Sequence, residues 1–121
     1  MKKLLIGLML AIPFSALAEH MDVIEIEMTG KCSQAQYMKI VGDFNKWGEA
    51  YGYQTKIAMP LQSNNVTSTF WLGSTADAAT FGKAWDAWRN AQSDANSEPS
   101  KLTARLRECS KTLSRRGYDI Y

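Results

Sequence analysis

Two apolar periodicities alternate along this chain in an order that few folds accommodate. Residues 22–29, Asp-Val-Ile-Glu-Ile-Glu-Met-Thr, repeat every second position, with Ile24, Ile26 and Met28 on one face and Val23, Glu25 and Glu27 on the other. That is the pattern of a half-buried strand. Ser33 with Gln36 forms a capping-box signature, and Tyr37, Val41, Phe44, Trp47 and Tyr51 follow at helical spacing, which predicts a helix from about residue 34 to 50, ending near Gly52. The two-residue period returns over 53–61 (Tyr53, Thr55, Ile57, Met59, Leu61) and over 66–72 (Val66, Ser68, Phe70, Leu72). Gln62-Ser63-Asn64-Asn65 between them has turn composition, so the two runs read as a hairpin. A second helix, capped by Ser74 or Thr75 and running to about Gln92, carries Ala78, Phe81, Trp85 and Trp88 as its apolar stripe. After the polar break Ser93–Glu98, Pro99 suits the first turn of a third helix, with Leu102, Leu106, Cys109 and Leu113 in one arc and Lys101, Arg105, Lys111 and Arg115 in the opposite one. A short last strand, Tyr118–Tyr121, follows Gly117.

The order strand, helix, hairpin, helix, short helix, strand is that of an α+β ferredoxin-like fold, βαββα(α)β, with helices on one face of a four-stranded antiparallel sheet. The first and last strands are then antiparallel neighbours, which brings Cys32, after the first strand, near Cys109, before the last. These are the chain's two cysteines. A disulfide between them is expected; in the chain-entropy model a loop of this length contributes about 4 to 5 kcal/mol. Their spacing is not that of a CxxC redox or metal pair, and no histidine lies nearby.

The first eighteen residues explain why a disulfide can form. Met1-Lys2-Lys3, an apolar run to Phe14 and the small-residue end Ala16-Leu17-Ala18 compose a signal peptide cleaved after Ala18, too short for a membrane span. The chain is therefore expected in the periplasm, with residues 19–121 as a single ferredoxin-like domain. Of 14 basic and 12 acidic side chains, Lys2 and Lys3 belong to that signal. The remainder is balanced, and neither nucleic acid nor membrane is an expected partner.

The face left uncovered by the helices is the natural place for a site. If Ile24, Ile26 and Met28 point to the helices, and the hairpin strands keep the parity given above, that face receives Val23, Glu25 and Glu27, Gln54, Lys56 and Ala58, and Thr67, Thr69 and Trp71. Trp71 marks it as a ligand or interface surface, since a large aromatic on a polar face is enriched where something covers it. Glu25 and Glu27, roughly 6 to 7 Å apart along the strand, could share acid and base work if buried, with Lys56 as a balancing charge. The ligand or interface candidates are thus Glu25, Glu27, Lys56, Thr69 and Trp71. Phe44, Trp47, Phe81, Trp85 and Trp88 read as core, with Trp88 the most exposed, and the basic arc of the third helix, with Arg116 added, reads as a solvated face. His20, the one histidine, sits at the frayed start of the mature chain, where Glu19-His20-Met21 could offer copper an amine, an imidazole and a thioether, although the arrangement is not the usual copper-binding terminus. No catalytic residue, metal site or cofactor is assigned. A triad lacks its base, and no glycine-rich phosphate loop follows a strand.

The order of elements, together with Thr69-Phe70-Trp71-Leu72-Gly73-Ser74 leading into an alanine-rich, aromatic-striped helix, resembles the dimeric α+β-barrel proteins, a group that includes the antibiotic-biosynthesis-type monooxygenases. The resemblance covers most of residues 19–121. It implies a homodimer with sheets packed face to face, and a pocket either inside that barrel or between sheet and helices. Haem-using members rely on a histidine that His20 does not supply. The resulting expectation is a binding protein for a small molecule or another envelope protein. The alternatives are a cofactor-independent monooxygenase- or isomerase-like enzyme, and an accessory structural subunit of an envelope assembly.

Overall fold

A computed structural model describes residues 18–121. The export signal of the sequence reading lies, but for Ala18, outside the described residues. In chain order the elements are β1 (Glu19–Met28), α1 (Gln34–Glu49), β2 (Gln54–Ala58), β3 (Ser68–Thr75), α2 (Ala78–Ala91), α3 (Glu98–Cys109) and β4 (Ser110–Ile120). The strands form one sheet in the order β2-β3-β1-β4, every neighbouring pair antiparallel. This is the ferredoxin-like α+β arrangement expected from the sequence.

Local chemistry starts each helix. Ser33 and Gln36 close a reciprocal capping box on α1, the Gln36 N–H donating to Ser33 Oγ and the Ser33 N–H to Gln36 Oε1. The α2 cap is Asp77, which accepts from the Thr80 N–H at 2.7 Å; Ser74 and Thr75, the expected caps, are still in β3. Ser97 caps α3, with Pro99 in its first turn. Arg105 of α3 reaches Asp43 of α1 at 2.9 Å, so this member of the supposed solvated basic face ties two helices together.

The third helix stops sooner than its spacing suggests. Lys111, Leu113 and Arg115 belong to β4, which starts directly after Cys109 and pairs with β1 along its whole length, from Ser110 opposite Met28 to Ile120 opposite Glu19. Without that partner the outer edge of β1 would leave a row of backbone groups unpaired. Cys109 marks the change of direction. It is disulfide-bonded to Cys32, its Cα 5.1 Å from that of Cys32, and its carbonyl accepts the Thr29 N–H.

Within β4 the pairing slips by one residue. Glu25 faces Ser114 while Ile26 faces Thr112, so Leu113 is the extra residue of a β-bulge, with 47% of its surface exposed. Thr112 and Arg115, which a regular strand would put on opposite faces, therefore both turn towards the helices.

The core lies between sheet and helices, built from Ile26, Tyr37, Ile40, Val41, Phe44, Tyr53, Trp71, Ala84, Leu102 and Cys109, with Ile24, Trp47, Ile57, Phe81 and Trp88 packed against it. Trp71 corrects the sequence reading. It is 5% exposed on the helix side, opposite Ile24 on one neighbour and Ile57 on the other, and Thr69 beside Ile26 is buried on that side too. β3 carries large apolar residues at both parities, Phe70 and Leu72 against Trp71, so its own pattern does not decide which face is buried. Pairing to β1, whose parity Ile24 and Ile26 set, does decide it.

Candidate functional site

A cavity of about 320 Å³ opens between the sheet and the helices. Aromatic side chains form nearly half of its wall, among them Phe44 and Trp47 from α1, Tyr53 from the turn before β2, Trp71 from β3, and Phe81, Trp85 and Trp88 from α2. The rings brace one another edge to face. Phe44 stands at 79° to Trp71 with centroids 4.7 Å apart, and Trp47 at 72° to Trp88 at 5.0 Å. Trp88, expected to be partly exposed at the end of its helix, is half-buried and packs on Phe44 and Trp47.

Behind the aromatic wall lies a closed polar network. Asp22 is 2% exposed, on the helix side of β1 opposite Gly73. Its carboxylate accepts the Tyr53 O–H at 2.8 Å and the Arg115 Nε–H at 2.8 Å, and Arg115 Nη2 completes a side-on pair. Tyr53 oxygen in turn accepts the Trp71 Nε1–H at 3.0 Å. Burial raises the Tyr53 pKa far above the usual phenol value, and the negative charge of Asp22 raises it further, against the opposing pull of Trp71 and Arg115. The phenol is thus a neutral group whose proton is committed to Asp22. Gly73 makes the arrangement sterically possible, because a Cβ there would collide with the Tyr53 hydroxyl.

The rest of the wall is different in kind. Thr103, Leu106 and Arg107 of α3, with Ser110, Thr112 and Arg115 of β4, supply its hydroxyls and guanidiniums. Arg115 lies over the Trp85 ring, 4.0 Å from its centroid. Burial raises the Tyr37 pKa above the usual phenol value, and the nearby Ser110 side chain partly offsets this.

The residues singled out from the sequence do not form one site. Thr69 and Trp71 belong to the helix side. Glu25, Glu27 and Lys56 are on the uncovered face, where Glu25 accepts the Ser68 hydroxyl at 2.7 Å and the Ser114 hydroxyl at 3.2 Å, while Glu27 is exposed opposite Lys111. Between them Val23, Leu72 and Phe70 form an apolar strip, Leu72 facing Val23 on one side and Lys56 on the other.

His20 also departs from expectation. It is a paired residue of β1, opposite Thr75 and Asp119, and its ring packs on Phe81 with centroids 4.5 Å apart. Both ring nitrogens are buried without a hydrogen-bond partner, so they are not displayed at a frayed end for copper. Among the described residues no three His, Cys, Asp or Glu side chains gather as a metal site, and no helix is long and apolar enough to cross a membrane.

Sequence reading missed Asp22, Tyr53 and Arg115 as a unit. One signal was available: Asp22 shares the parity of Ile24 and Ile26, and a carboxylate on a core face demands a partner.

Neither a scan against protein-family models nor a search of curated proteins finds a match to this chain. Solved structures do match. A hydroxynitrile lyase from Passiflora edulis is 15% identical with a TM-score of 0.55, covering 86% of this chain and 94% of its own. SnoaB from Streptomyces nogalater, a cofactor-independent oxygenase, is 12% identical with a TM-score of 0.51 and the same coverage. A conserved protein from Methanosarcina mazei Go1 is 13% identical with a TM-score of 0.50, covering 91% of this chain and 100% of its own. Likeness at this identity speaks for architecture, and the chain shares the ferredoxin-like α+β fold of these proteins.

Proposed function

We propose that this protein is a periplasmic small-molecule-binding protein that holds a compact, largely aromatic ligand between its sheet and its helices and pairs with a second copy through the uncovered sheet face. The observation that carries the reading is the aromatic cavity itself. Its volume is at the lower end of small-molecule sites, and rings that brace one another present a preformed apolar surface. Among its lining groups Tyr53, Trp71 and Arg115 are committed to one another through Asp22 and the Tyr53 oxygen, and Tyr53 has no proton free for a ligand. That favours binding over acid–base chemistry at this position.

Pairing through the sheet is supported by the strip Val23, Leu72 and Phe70, bordered by Lys56 and Glu25, on a face that none of the described helices covers. A two-fold contact there can set charges of opposite sign against one another. A periplasmic location is supported by the Cys32–Cys109 disulfide together with the export signal read from residues 1–18.

The test is titration with N-phenyl-1-naphthylamine, a neutral aromatic probe that brightens in apolar surroundings. The expected result is saturable binding, one probe per chain, weakened at least tenfold by Ala84→Leu, which fills the cavity from α2 while far-UV circular dichroism stays unchanged. Absence of saturable binding would overturn the reading.

A further inference from the structure

The two sides of the cavity are chemically unequal. Aromatic rings come from α1, the turn before β2, β3 and α2, whereas the hydroxyls of Thr103, Ser110 and Thr112 and the guanidiniums of Arg107 and Arg115 come from the single run of chain 103–115. Among the described residues no carboxylate lines the cavity, and Asp22, in the adjoining network, is taken up by Arg115. Arg107 is different. Among the described residues it makes no ion pair, and it stands one helical turn from Thr103 on the same face of α3. Thr103 Oγ1 is itself buried without a hydrogen-bond partner. A buried hydroxyl left unmatched is costly, and here it lies in the same wall as Arg107, an exposed guanidinium without an ion-pair partner.

We infer that the cavity selects an aromatic acid: the planar body lies among the rings, and its anionic group turns towards α3, accepted by Arg107 and by the Thr103 hydroxyl. This inference rests on the cavity being a binding site, and it names the class of molecule that the site takes. Arg115, bonded on one edge by Asp22 and stacked on Trp85, cancels the charge of that carboxylate and keeps its partner. The bond to Arg107 is charge-assisted and near solvent, so it contributes discrimination that weakens with salt.

The experiment compares two probes with the same aromatic skeleton, 8-anilinonaphthalene-1-sulfonate and N-phenyl-1-naphthylamine, which differ by the sulfonate. The oxidised protein should bind the sulfonate about tenfold more tightly at low salt, a ratio set by a charge-assisted hydrogen bond. Arg107→Gln should remove most of that ratio and leave affinity for the neutral probe within about twofold. Thr103→Val should reduce the ratio by a smaller factor. Lys101→Gln, on the same helix and exposed like Arg107 but outside the cavity wall, should leave it unchanged, which separates the cavity cation from general surface charge. Equal affinity for both probes, or a ratio that survives Arg107→Gln, overturns the inference while leaving the cavity as a neutral aromatic site. Failure of both probes to bind overturns the binding reading as well.

Discussion

Arg115 and Asp22 meet side on across neighbouring strands, Nε to one carboxylate oxygen and Nη2 to the other, with the carboxylate almost fully buried and the guanidinium partly so. Removing one member should cost more than the pair is worth, because the other is left uncompensated in the interior. Arg115→Met is expected to lower the unfolding free energy by about 3 kcal/mol or more. The Asp22→Leu, Arg115→Met double variant should lose less than the sum of the two single changes. Urea denaturation of the four species in a double-mutant cycle measures this.

Gly73 lets Tyr53 lie across the sheet, and the Tyr53 oxygen then receives the Trp71 N–H. Gly73→Ala should displace the phenol and unmake both of its hydrogen bonds, at a cost of about 1 to 3 kcal/mol. A blue or red shift in tryptophan emission should accompany the loss, since the environment of Trp71 changes. In a Tyr53→Phe background the same glycine replacement should cost less, which calorimetry of both variants can read.

The uncovered face offers a sharper test of association than the tryptophan first suspected. Leu72→Glu puts a charge in the middle of the Val23, Leu72, Phe70 strip and is expected to give a folded monomer where the parent is a dimer, read by light scattering. Trp71→Glu, by contrast, buries a charge among Phe44, Ile24 and Ile57 and should fail to fold rather than dissociate. A parent that is itself monomeric would remove the dimer from the reading and leave the cavity intact.

Cys32 and Cys109 are 77 positions apart, and their bond joins the entry to α1 with the junction of α3 and β4. Replacing both with serine should lower stability by about 4 kcal/mol on the chain-entropy model. The effect on probe binding should exceed what the lost stability explains at temperatures where the variant remains folded, because the junction carries the polar side of the cavity. Comparing affinity at matched folded fractions separates the two.

Much of this architecture was legible in the sequence, and the failures have physical causes. The first strand, the capping box of α1, the disulfide and the pairing of first and last strands follow from alternation, cap chemistry and topology. β3 was read with inverted parity because Phe70, Trp71 and Leu72 are consecutive large apolar residues, and only the partner strand chooses between them. The long β4 was hidden for the opposite reason. Its residues Lys111 to Arg116 are mostly polar, carry no clean alternation across the bulge, and continue the helical arc of Leu102, Leu106 and Cys109 as far as Leu113. The aromatic stripes of α1 and α2 were recognised as core. That the rings also enclose space was beyond any pattern, because a cavity is a property of how side chains from six elements and a turn meet.

β4 has one residue more than its pairing with β1 uses, and the surplus is Leu113. A chain shorter by that residue would run straight and still present Thr112 and Arg115 to the same side, now as ordinary alternate positions. Elsewhere in the sheet a gain or loss of one residue would turn every following side chain over. Relatives of this protein should therefore vary in length by one residue at this point while keeping the rest of the sheet in frame, and excision of Leu113 is the smallest backbone edit that would retune the strand's twist without exchanging any residue that faces the cavity.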